Sequence, residues 1–320
     1  MENVIHGLSN EAYHHEAPYS EYLSSSQLKN YLKSPRYAKF ALGNPTEEKS
    51  DALRLGSLFH DLMACLAEHK GDWSKGFFQW KGGIATFAPP INPKTQTYYG
   101  ATTKAYTEAY DKFLSDNQDK TIAHVLEVDL AGDMAHSLLN GCGATSEQVR
   151  KLLKWAKATE VSYFYETEDG IKLKVRPDLL TKTKLVDWKT CSLDSLDEDS
   201  IARQIIKYRY DVSLAMYQWT IFQIEKKWYT PILVFVQKQE PFDCVMCDIS
   251  EWCYQYFPDE DFVKPGVGAM EFRKLLDLHA ECVRKNEWPG AESSIEADGN
   301  TRIMKPAVPY WLGMRYFEEF

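Results

Sequence analysis

Short hydrophobic runs of strand length follow one another between residues 160 and 190. The first two, at 161–165 and 171–175, flank Glu168-Asp169-Gly170, and an Asp-Gly turn between such runs is a strong hairpin signal. A second short polar turn, at 181–184, separates two further runs. The pattern therefore predicts two consecutive β-hairpins in the middle of the chain.

The second predicted hairpin brings acidic residues together. If its turn is centred between Lys182 and Thr183, antiparallel pairing places Asp178 directly opposite Asp187. Opposed side chains lie about 5 Å apart at Cβ, where two like charges destabilise the pair unless a cation lies between them. Because side chains alternate along a strand, Lys189 falls on the same face as Asp187.

A third acid belongs to the same group. The first hairpin carries Glu160 to about the level of Asp178, so that three acids and a lysine converge at one end of a small sheet. Hard oxygen ligands of this kind suit Mg²⁺ or Mn²⁺ rather than zinc. Asp-x-Lys is a weak motif by itself, and the alternative is that these residues are solvated hairpin charges.

Residues 51–68 have the clearest helical period. At about 100° per residue, one apolar arc contains Leu55, Leu58, Phe59, Leu62, Met63 and Leu66. Gly56 and His60 lie side by side just beyond the edge of this arc. A lone histidine in that position is normally a surface residue, and only its context suggests a function.

Weaker patterns divide the rest of the chain. They predict helices at 98–117, 122–139, 146–158, 197–208, 211–226 and 267–285, and strands at 228–237 and 243–249. Asp211 is a plausible N-cap for its helix. Residues 71–93 are rich in Gly, Pro and aromatic residues without a period, which indicates a surface loop.

Composition indicates a soluble globular protein. The 320 residues are 44% hydrophobic and 26% charged, and they suffice for one large α/β domain or two small ones. The sequence contains neither a signal peptide nor an apolar run of membrane-spanning length, so we expect a cytoplasmic protein without a membrane partner. Seven cysteines without framework spacing indicate reduced thiols.

The net charge of -9 argues against the simplest kind of nucleic-acid binder, which is basic. Contact with phosphate needs only a local basic patch, however. Two clusters are candidates for such a patch, and each could equally be a solvated helix face: one contains Lys29, Lys33, Arg36 and Lys39, and the other contains Arg203, Lys207 and Arg209.

Several of these features resemble the PD-(D/E)XK nuclease superfamily. Pro177-Asp178, followed after a short hairpin by Asp187-Trp188-Lys189-Thr190, resembles its metal site. Gly56-x-x-x-His60 is similar to the first motif of the RecB-type and RecE-type (exonuclease VIII) nucleases. Tyr217 matches the last motif, a Gln and a Tyr four residues apart, but Ser213 occupies the glutamine position. The matches run in the family's order from about residue 24 to residue 217.

The resemblance implies an α/β fold, a restriction-endonuclease-like core with a mixed central β-sheet flanked by helices. We interpret residues 1–320 as a single nuclease domain. It would have a mainly helical part at 1–158, a catalytic sheet core at 159–250, and a C-terminal helix and irregular tail at 251–320.

The resemblance also assigns roles to residues. Asp178 and Asp187 would bind Mg²⁺, with Mn²⁺ as a substitute, while Glu160, His60 and the backbone carbonyl of Trp188 complete one or two cation sites. Lys189 would orient the attacking water or neutralise the phosphate. The residues expected to contact DNA are Arg176, Lys33, Arg36, Arg203, Arg209 and Tyr217, although Arg176 could instead neutralise Asp187. Some relatives hold an iron–sulfur cluster through a Cys-Pro pair, but Ser34 stands in the place of that cysteine, so we expect no cluster.

The function implied is a magnesium-dependent exonuclease on the ends of linear double-stranded DNA. In the RecE-like branch it degrades 5′ to 3′ and leaves 3′ overhangs for a single-strand annealing protein, as a ring-shaped trimer or tetramer. Two alternatives stay open. One is another nuclease of the superfamily, an endonuclease or a helicase-coupled enzyme. The other is a non-catalytic DNA-binding module, which the intact Asp178, Asp187 and Lys189 argue against and Ser213 leaves open.

Overall fold

The computed structural model describes residues 2–44, 51–118 and 120–290. The helices in these ranges are α1 Asn10–His15, α2 Ser25–Lys29, α3 Pro35–Gly43, α4 Asp51–Glu68, α5 Trp73–Gly82, α6 Lys104–Asp116, α7 Val125–Asn140, α8 Ala144–Lys154, α9 Glu198–Tyr208, α10 Tyr210–Glu225 and α11 Val267–Lys285. The strands are β1 Val4–Ile5, β2 Ile84–Phe87, β3 Thr121–His124, β4 Ala158–Thr159, β5 Ser162–Glu166, β6 Lys172–Val175, β7 Leu179–Leu180, β8 Lys184–Cys191, β9 Thr230–Gln237, β10 Cys244–Asp248, β11 Tyr254–Phe257 and β12 Phe262–Pro265. None of these helices has both the length and the apolar character needed to cross a bilayer.

A mixed five-stranded sheet lies at the centre, with strand order β10-β9-β8-β7-β4. β8 and β9 are parallel and are joined through α9 and α10, whereas the other neighbours are antiparallel. β5 and β6 belong to a second sheet, with order β1-β5-β6. The predicted α/β class, a mixed sheet flanked by helices, is confirmed.

Both hairpins form as predicted. β5 and β6 pair across a turn in which Gly170 has a φ of +78°, a backbone conformation that glycine adopts without strain. In the second hairpin, Leu179 pairs with Val186 and Leu180 with Leu185. This is the register expected for a turn centred between residues 182 and 183.

Side chains of the central sheet alternate between two hydrophobic layers. Val186 and Trp188 pack into the layer formed with α4, α7 and α8. Leu185 and Cys191 point the other way, into the layer that contains residues of α10 and α11. Asp187 and Lys189 follow Leu185 by two and four residues, so they lie on the same side of the sheet as Leu185.

Helix α4 has the predicted bounds, and all six residues of its apolar arc are buried. Residues 71–93, predicted to be a loop, instead contain α5 and β2, and β2 pairs in parallel with β3. Asp72 caps α5 by accepting a hydrogen bond from the Lys75 N–H. Trp73 and Phe77 stack 5.2 Å apart, and they pack against the layer that contains α4. Tertiary packing of aromatic residues thus makes a helix where the sequence has no clear period.

Several other helix boundaries differ from the prediction: residues 121–124 form β3 before α7, and α8 ends at Lys154, before β4. The helix expected at 98–117 begins at Lys104, because the Thr103 side chain caps it. Asp211 is not an N-cap: α10 begins one residue earlier, and the buried Asp211 carboxylate pairs with Arg209. The predicted C-terminal tail, residues 291–320, lies outside the described residues.

Gln218 on α10 connects three segments of the core. Its buried side-chain amide donates to the carbonyls of Tyr229 and Tyr254 and accepts from the Tyr254 N–H. All of its bonds therefore join backbone groups that water does not reach.

We predict that Gln218→Leu lowers the free energy of unfolding by about 3 kcal/mol, because it leaves buried backbone groups without partners. Urea denaturation followed by circular dichroism measures the change. Gln223→Leu, on the same helix, is the matched control and should change stability by less than about 0.5 kcal/mol. Equal stability of the two variants would contradict the role assigned to Gln218.

Candidate active site

Asp178 joins the acidic group to the sheet. The β7–β8 pairing stops at Leu179, and the next bond is made by a side chain: the Trp188 N–H donates to Oδ2 of Asp178 at 2.7 Å. The residue before Asp178 is a proline, which has no N–H to continue a ladder. The carboxylate of Asp178 therefore takes the place of a backbone acceptor and is held beside Asp187.

Asp187 and Lys189 form an ion pair. The Lys189 Nζ lies 2.7 Å from Oδ2 of Asp187, and it also lies 5.0 Å from the centre of the Tyr210 ring. Burial would lower the pKa of Lys189, but the charges of Asp187 and Asp178 outweigh it and raise the pKa. The side chain is therefore an ammonium at neutral pH, and it does not act as a base there.

His60 and Glu160 meet Asp178 on its other side. Ligand atoms of these three residues lie within 4.8 Å of one another, with the His60 Nδ1 3.3 Å from Oδ1 of Asp178. Glu160 follows β4, and its N–H donates to the carbonyl of Asp178 at 3.3 Å. Asp187 is not a member of this compact triad, since its carboxylate faces Lys189.

The backbone of Glu160 adopts a rare conformation. Its φ is +50°, in the left-handed region that non-glycine residues seldom occupy. Such conformations cost roughly 1–3 kcal/mol and persist where the surrounding structure imposes them. Here the bend between β4 and β5 requires it, and the bend places the glutamate at the triad.

The site groups shift one another's pKa values. Burial and the neighbouring Asp178 raise the pKa of Glu160, and burial likewise raises the pKa of Asp187 against the opposing effect of Lys189. Burial would also raise the pKa of Asp178, but His60 outweighs it and lowers that pKa. Burial lowers the pKa of His60, yet Asp178 raises it to about 9 overall. At neutral pH negative charge therefore remains on Asp178, which lies beside His60, and on Asp187, which lies beside Lys189.

The donor set fits a divalent metal ion. A histidine nitrogen and the oxygens of two carboxylates converge within the span of one coordination sphere, and a third carboxylate, that of Asp187, lies beside them. In the metal-free protein, protons bound to His60 and Glu160 offset the negative charge that a metal ion would neutralise. The role predicted for the carbonyl of Trp188 stays a prediction.

Arg176 is held by hydrogen bonds of its own, although its charge lowers the pKa of the nearby Glu160 against the raising effect of burial. Its guanidinium donates to the Ser162 hydroxyl, the Asn10 side chain and the Leu8 carbonyl, and it lies 4.0 Å from the centre of the Tyr13 ring. It is buried, and it joins the N-terminal segment to the second sheet. These contacts attach the guanidinium to the N-terminal segment rather than to Asp187, and its predicted contact with phosphate stays a prediction.

Tyr217 lies among the site residues. Its pKa is raised by burial and by the charges of Asp187 and Asp178. Ser213 is buried, and its hydroxyl lies 3.5 Å from the carbonyl of Arg209. Gly56 lies beside Thr190, and a methyl group there would lie 3.8 Å from the Thr190 Oγ1, an ordinary contact.

The other predicted DNA-contacting residues lie on different elements. The Lys33 Nζ makes a cation–π contact with Tyr37, 3.9 Å from the ring centre, and the Arg36 backbone N–H donates to the carbonyl of Pro289. Arg203 is exposed and lies 3.7 Å from Asp199, while Arg209 is held by the buried Asp211. The structure therefore does not bring these four together with the acids.

Sequence reasoning placed Lys29 in a basic cluster but did not connect it with the acids. In the structure its Nζ donates to the carbonyl of Tyr208 at 2.9 Å. Burial and the nearby charge of Lys189 lower its pKa to about 8. The serine-capped helix α2 packs on α10 and brings Lys29 there, a tertiary contact that leaves no local signal in the sequence.

The fold is similar to that of a solved structure. A protein of Eubacterium rectale described as a "Putative exonuclease" superposes with a TM-score of 0.52 at 15% sequence identity, over 94% of this chain and 96% of that one. At that identity the likeness concerns the fold alone. No curated protein matches the sequence.

Residues 24–297 match a family model described as a PDDEXK-like domain of unknown function, DUF3799. The match covers most of the chain and includes His60, Glu160, Asp178, Asp187 and Lys189. It confirms the resemblance to the PD-(D/E)XK superfamily, whereas the RecE-like branch stays a prediction. The chain therefore belongs to the PDDEXK-like family DUF3799.

Proposed function

We propose that this protein is a magnesium-dependent exodeoxyribonuclease that acts on the ends of linear double-stranded DNA. The observation that carries the proposal is the convergence of Asp178, Asp187 and Lys189 with His60 and Glu160, in a chain with a PDDEXK-like fold. Two buried acids, Asp178 and Asp187, beside the half-buried Glu160 are costly to assemble unless something positive binds them. Solvated hairpin charges would need no such positive partner, because water already stabilises them.

Asp178, Glu160 and His60 would hold the metal, with Asp187 as a further ligand beside them. Magnesium, with manganese as a substitute, suits the preponderance of carboxylate oxygens. When bound, the cation supplies Lewis acidity for phosphodiester hydrolysis. Occupation of the site requires His60 and Glu160 to release their protons, because only the deprotonated groups are ligands.

The protein's own residues position the reaction. The Trp188 N–H fixes the Asp178 carboxylate, so that little reorganisation of that side chain is needed. Lys189 holds a positive charge at its Nζ, where it would orient a water or neutralise a phosphate oxygen. Asp187 holds that ammonium in place at 2.7 Å.

The preference for DNA ends rests on the resemblance to the RecE-like branch, as does the 5′ to 3′ polarity. A product with a 3′ overhang would be the substrate of a single-strand annealing protein. An endonuclease of the same superfamily is the rival, and covalently closed circular DNA distinguishes the two because a strict exonuclease leaves it intact.

We predict that Asp187→Ala and Lys189→Ala each reduce magnesium-dependent cleavage of end-labelled linear duplex by a factor of about a hundred or more, because each removes a preorganised charge. Both should stay folded, since neither side chain belongs to a hydrophobic layer. Lys285→Ala, which breaks an exposed pair with Glu281, is the control. Near-normal cleavage by either site variant, at an unchanged melting temperature, would refute the site.

We also predict that magnesium binding releases protons and that its affinity increases as pH rises from 6.5 to about 9. These limits are the ordinary pKa of a histidine and the raised pKa of His60 in the metal-free protein. The sign follows because the metal-free protein binds more protons than the metal-bound one. Calorimetry in two buffers of different ionisation enthalpy counts the protons. Magnesium should also raise the melting temperature in the absence of DNA. Affinity that is independent of pH would argue against His60 and Glu160 as ligands.

The last prediction of this proposal concerns assembly. A chain of net charge -9 must offset its repulsion of DNA, and a closed ring does so with a few inward-facing cations. We expect three or four subunits, with the Lys29–Lys39 or the Arg203–Arg209 cluster lining the channel, and DNA affinity that falls with salt. Light scattering that gives a monomer, together with distributive digestion, would exclude the ring and leave the nuclease proposal intact.

A further inference from the structure

Two tyrosines stack at the junction of α9 and α10. α9 ends at Tyr208 and α10 begins at Tyr210, while Arg209 between them is left-handed, with φ and ψ both 51°. This sharp bend turns both rings to the same side, where their centres lie 5.5 Å apart and their planes differ by 17°. The backbone at the junction thus builds a small aromatic stack.

The stack is continuous with the candidate active site. The Tyr210 ring lies between Tyr208 and Lys189, whose Nζ is 5.0 Å from the ring centre. Tyr210 also packs against Phe235 of the central sheet, with ring centres 6.1 Å apart, which fixes its position. Lys29 reaches the carbonyl of Tyr208 at 2.9 Å. A molecule that contacts Tyr208 is therefore connected to the Asp187–Lys189 pair through the Tyr210 ring alone.

The outer tyrosine is open to solvent. Tyr208 is 45% exposed, whereas aromatic rings of this size are usually more covered. Lys207 is also exposed, and its Nζ lies 5.1 Å from the centre of the Tyr208 ring. The surface therefore offers an aromatic ring with an ammonium group above it.

The cationic side chains around the tyrosine stack differ in their partners. Arg209 is neutralised by Asp211, with both contacts at 3.1 Å. In the described part of the chain, by contrast, no carboxylate pairs with Lys29 or Lys207. Burial lowers the pKa of Lys29, so a phosphate beside it would favour the charged form. The surface is thus complementary to a ligand that has both flat rings and negative charges.

We propose that the tyrosine surface, formed by Lys29, Lys207, Tyr208 and Tyr210, binds unpaired nucleotides of the strand that is cut. The inference rests on the proposed function and specifies its substrate. A base stacks on the face of Tyr208 that is turned away from Tyr210, and the flexible, exposed Lys207 side chain moves from that face to a flanking phosphate. Lys29 contacts the other flanking phosphate. Stacking on a side chain needs the face of a base, which a duplex covers with the next base pair, so the strand reaches this surface in single-stranded form.

The test is binding of a fluorescein-labelled oligothymidylate, followed by fluorescence anisotropy in chelator so that no cleavage occurs. Tyr208→Ala should weaken binding by about tenfold, the usual size of one base–aromatic contact. Tyr208→Phe should bind as the unchanged protein does, because it keeps the ring. Tyr256→Ala is the matched control, since Tyr256 is 38% exposed on the β11–β12 hairpin. It should have no effect.

Charge is tested separately through salt. Lys29→Gln should reduce the slope of log affinity against log salt concentration by about 0.7, the value for one phosphate contact on a single strand. Lys29→Arg should retain the slope. Unchanged oligothymidylate binding by Tyr208→Ala, or equal losses for Tyr208→Ala and Tyr208→Phe, would overturn the inference.

The two proposals fail in different ways. If the protein binds oligothymidylate through Tyr208 but cleaves no DNA with magnesium, the nuclease proposal is wrong and the tyrosine surface stands. If the protein cleaves linear duplex while Tyr208→Ala binds and cleaves normally, the nuclease proposal stands and the tyrosine surface is wrong. The Tyr208→Ala variant could instead change the number of subunits while its isolated subunit still binds oligothymidylate normally. That result would place the Tyr208 side chain in a subunit interface and refute the inference.

Discussion

The hydrogen bond from the Trp188 N–H to the Asp178 carboxylate couples the candidate site to the sheet. It continues the β7–β8 pairing beyond the last backbone bond, after Pro177 has removed a donor from the strand. The same carboxylate lies 3.3 Å from His60. One side chain therefore serves the sheet through one oxygen and the acidic cluster through the other. Any shift of β7 against β8 would move the cluster with it.

The charges of the site are balanced locally rather than over the whole molecule. The chain carries an excess of acids, yet His60 lies beside Asp178 and Lys189 lies beside Asp187, and the charge of Asp187 also acts on Lys29. Several other cations are committed elsewhere, as Arg176 is to the N-terminal segment and Arg209 is to Asp211. A count of basic residues along the sequence therefore overestimates the positive surface that could contact a ligand. The positions of the few uncommitted cations determine where that surface lies.

Local patterns predicted the parts of the site that local rules determine. The period of two and the turn position gave the register of β7 and β8, and the period of 3.6 gave the bounds and apolar arc of α4. Non-local contacts determine the rest. The left-handed backbone of Glu160, the burial of Arg176 and the inward position of Lys29 depend on segments far away in the chain. α5 was missed because its aromatic residues gain stability from packing on other helices rather than from their own periodicity.

The path of the chain through the central sheet affects how the protein is made. The candidate site draws on α4, on β4, β7 and β8, and on Tyr217 in α10, and β8 acquires its parallel neighbour only when β9 is present. Contacts of such long sequence separation form late, after the chain has closed large loops. During synthesis the N-terminal helices leave the ribosome well before this sheet can be completed. A truncated or nascent chain consequently lacks the arranged acids, so that a reactive centre arises only together with the finished fold.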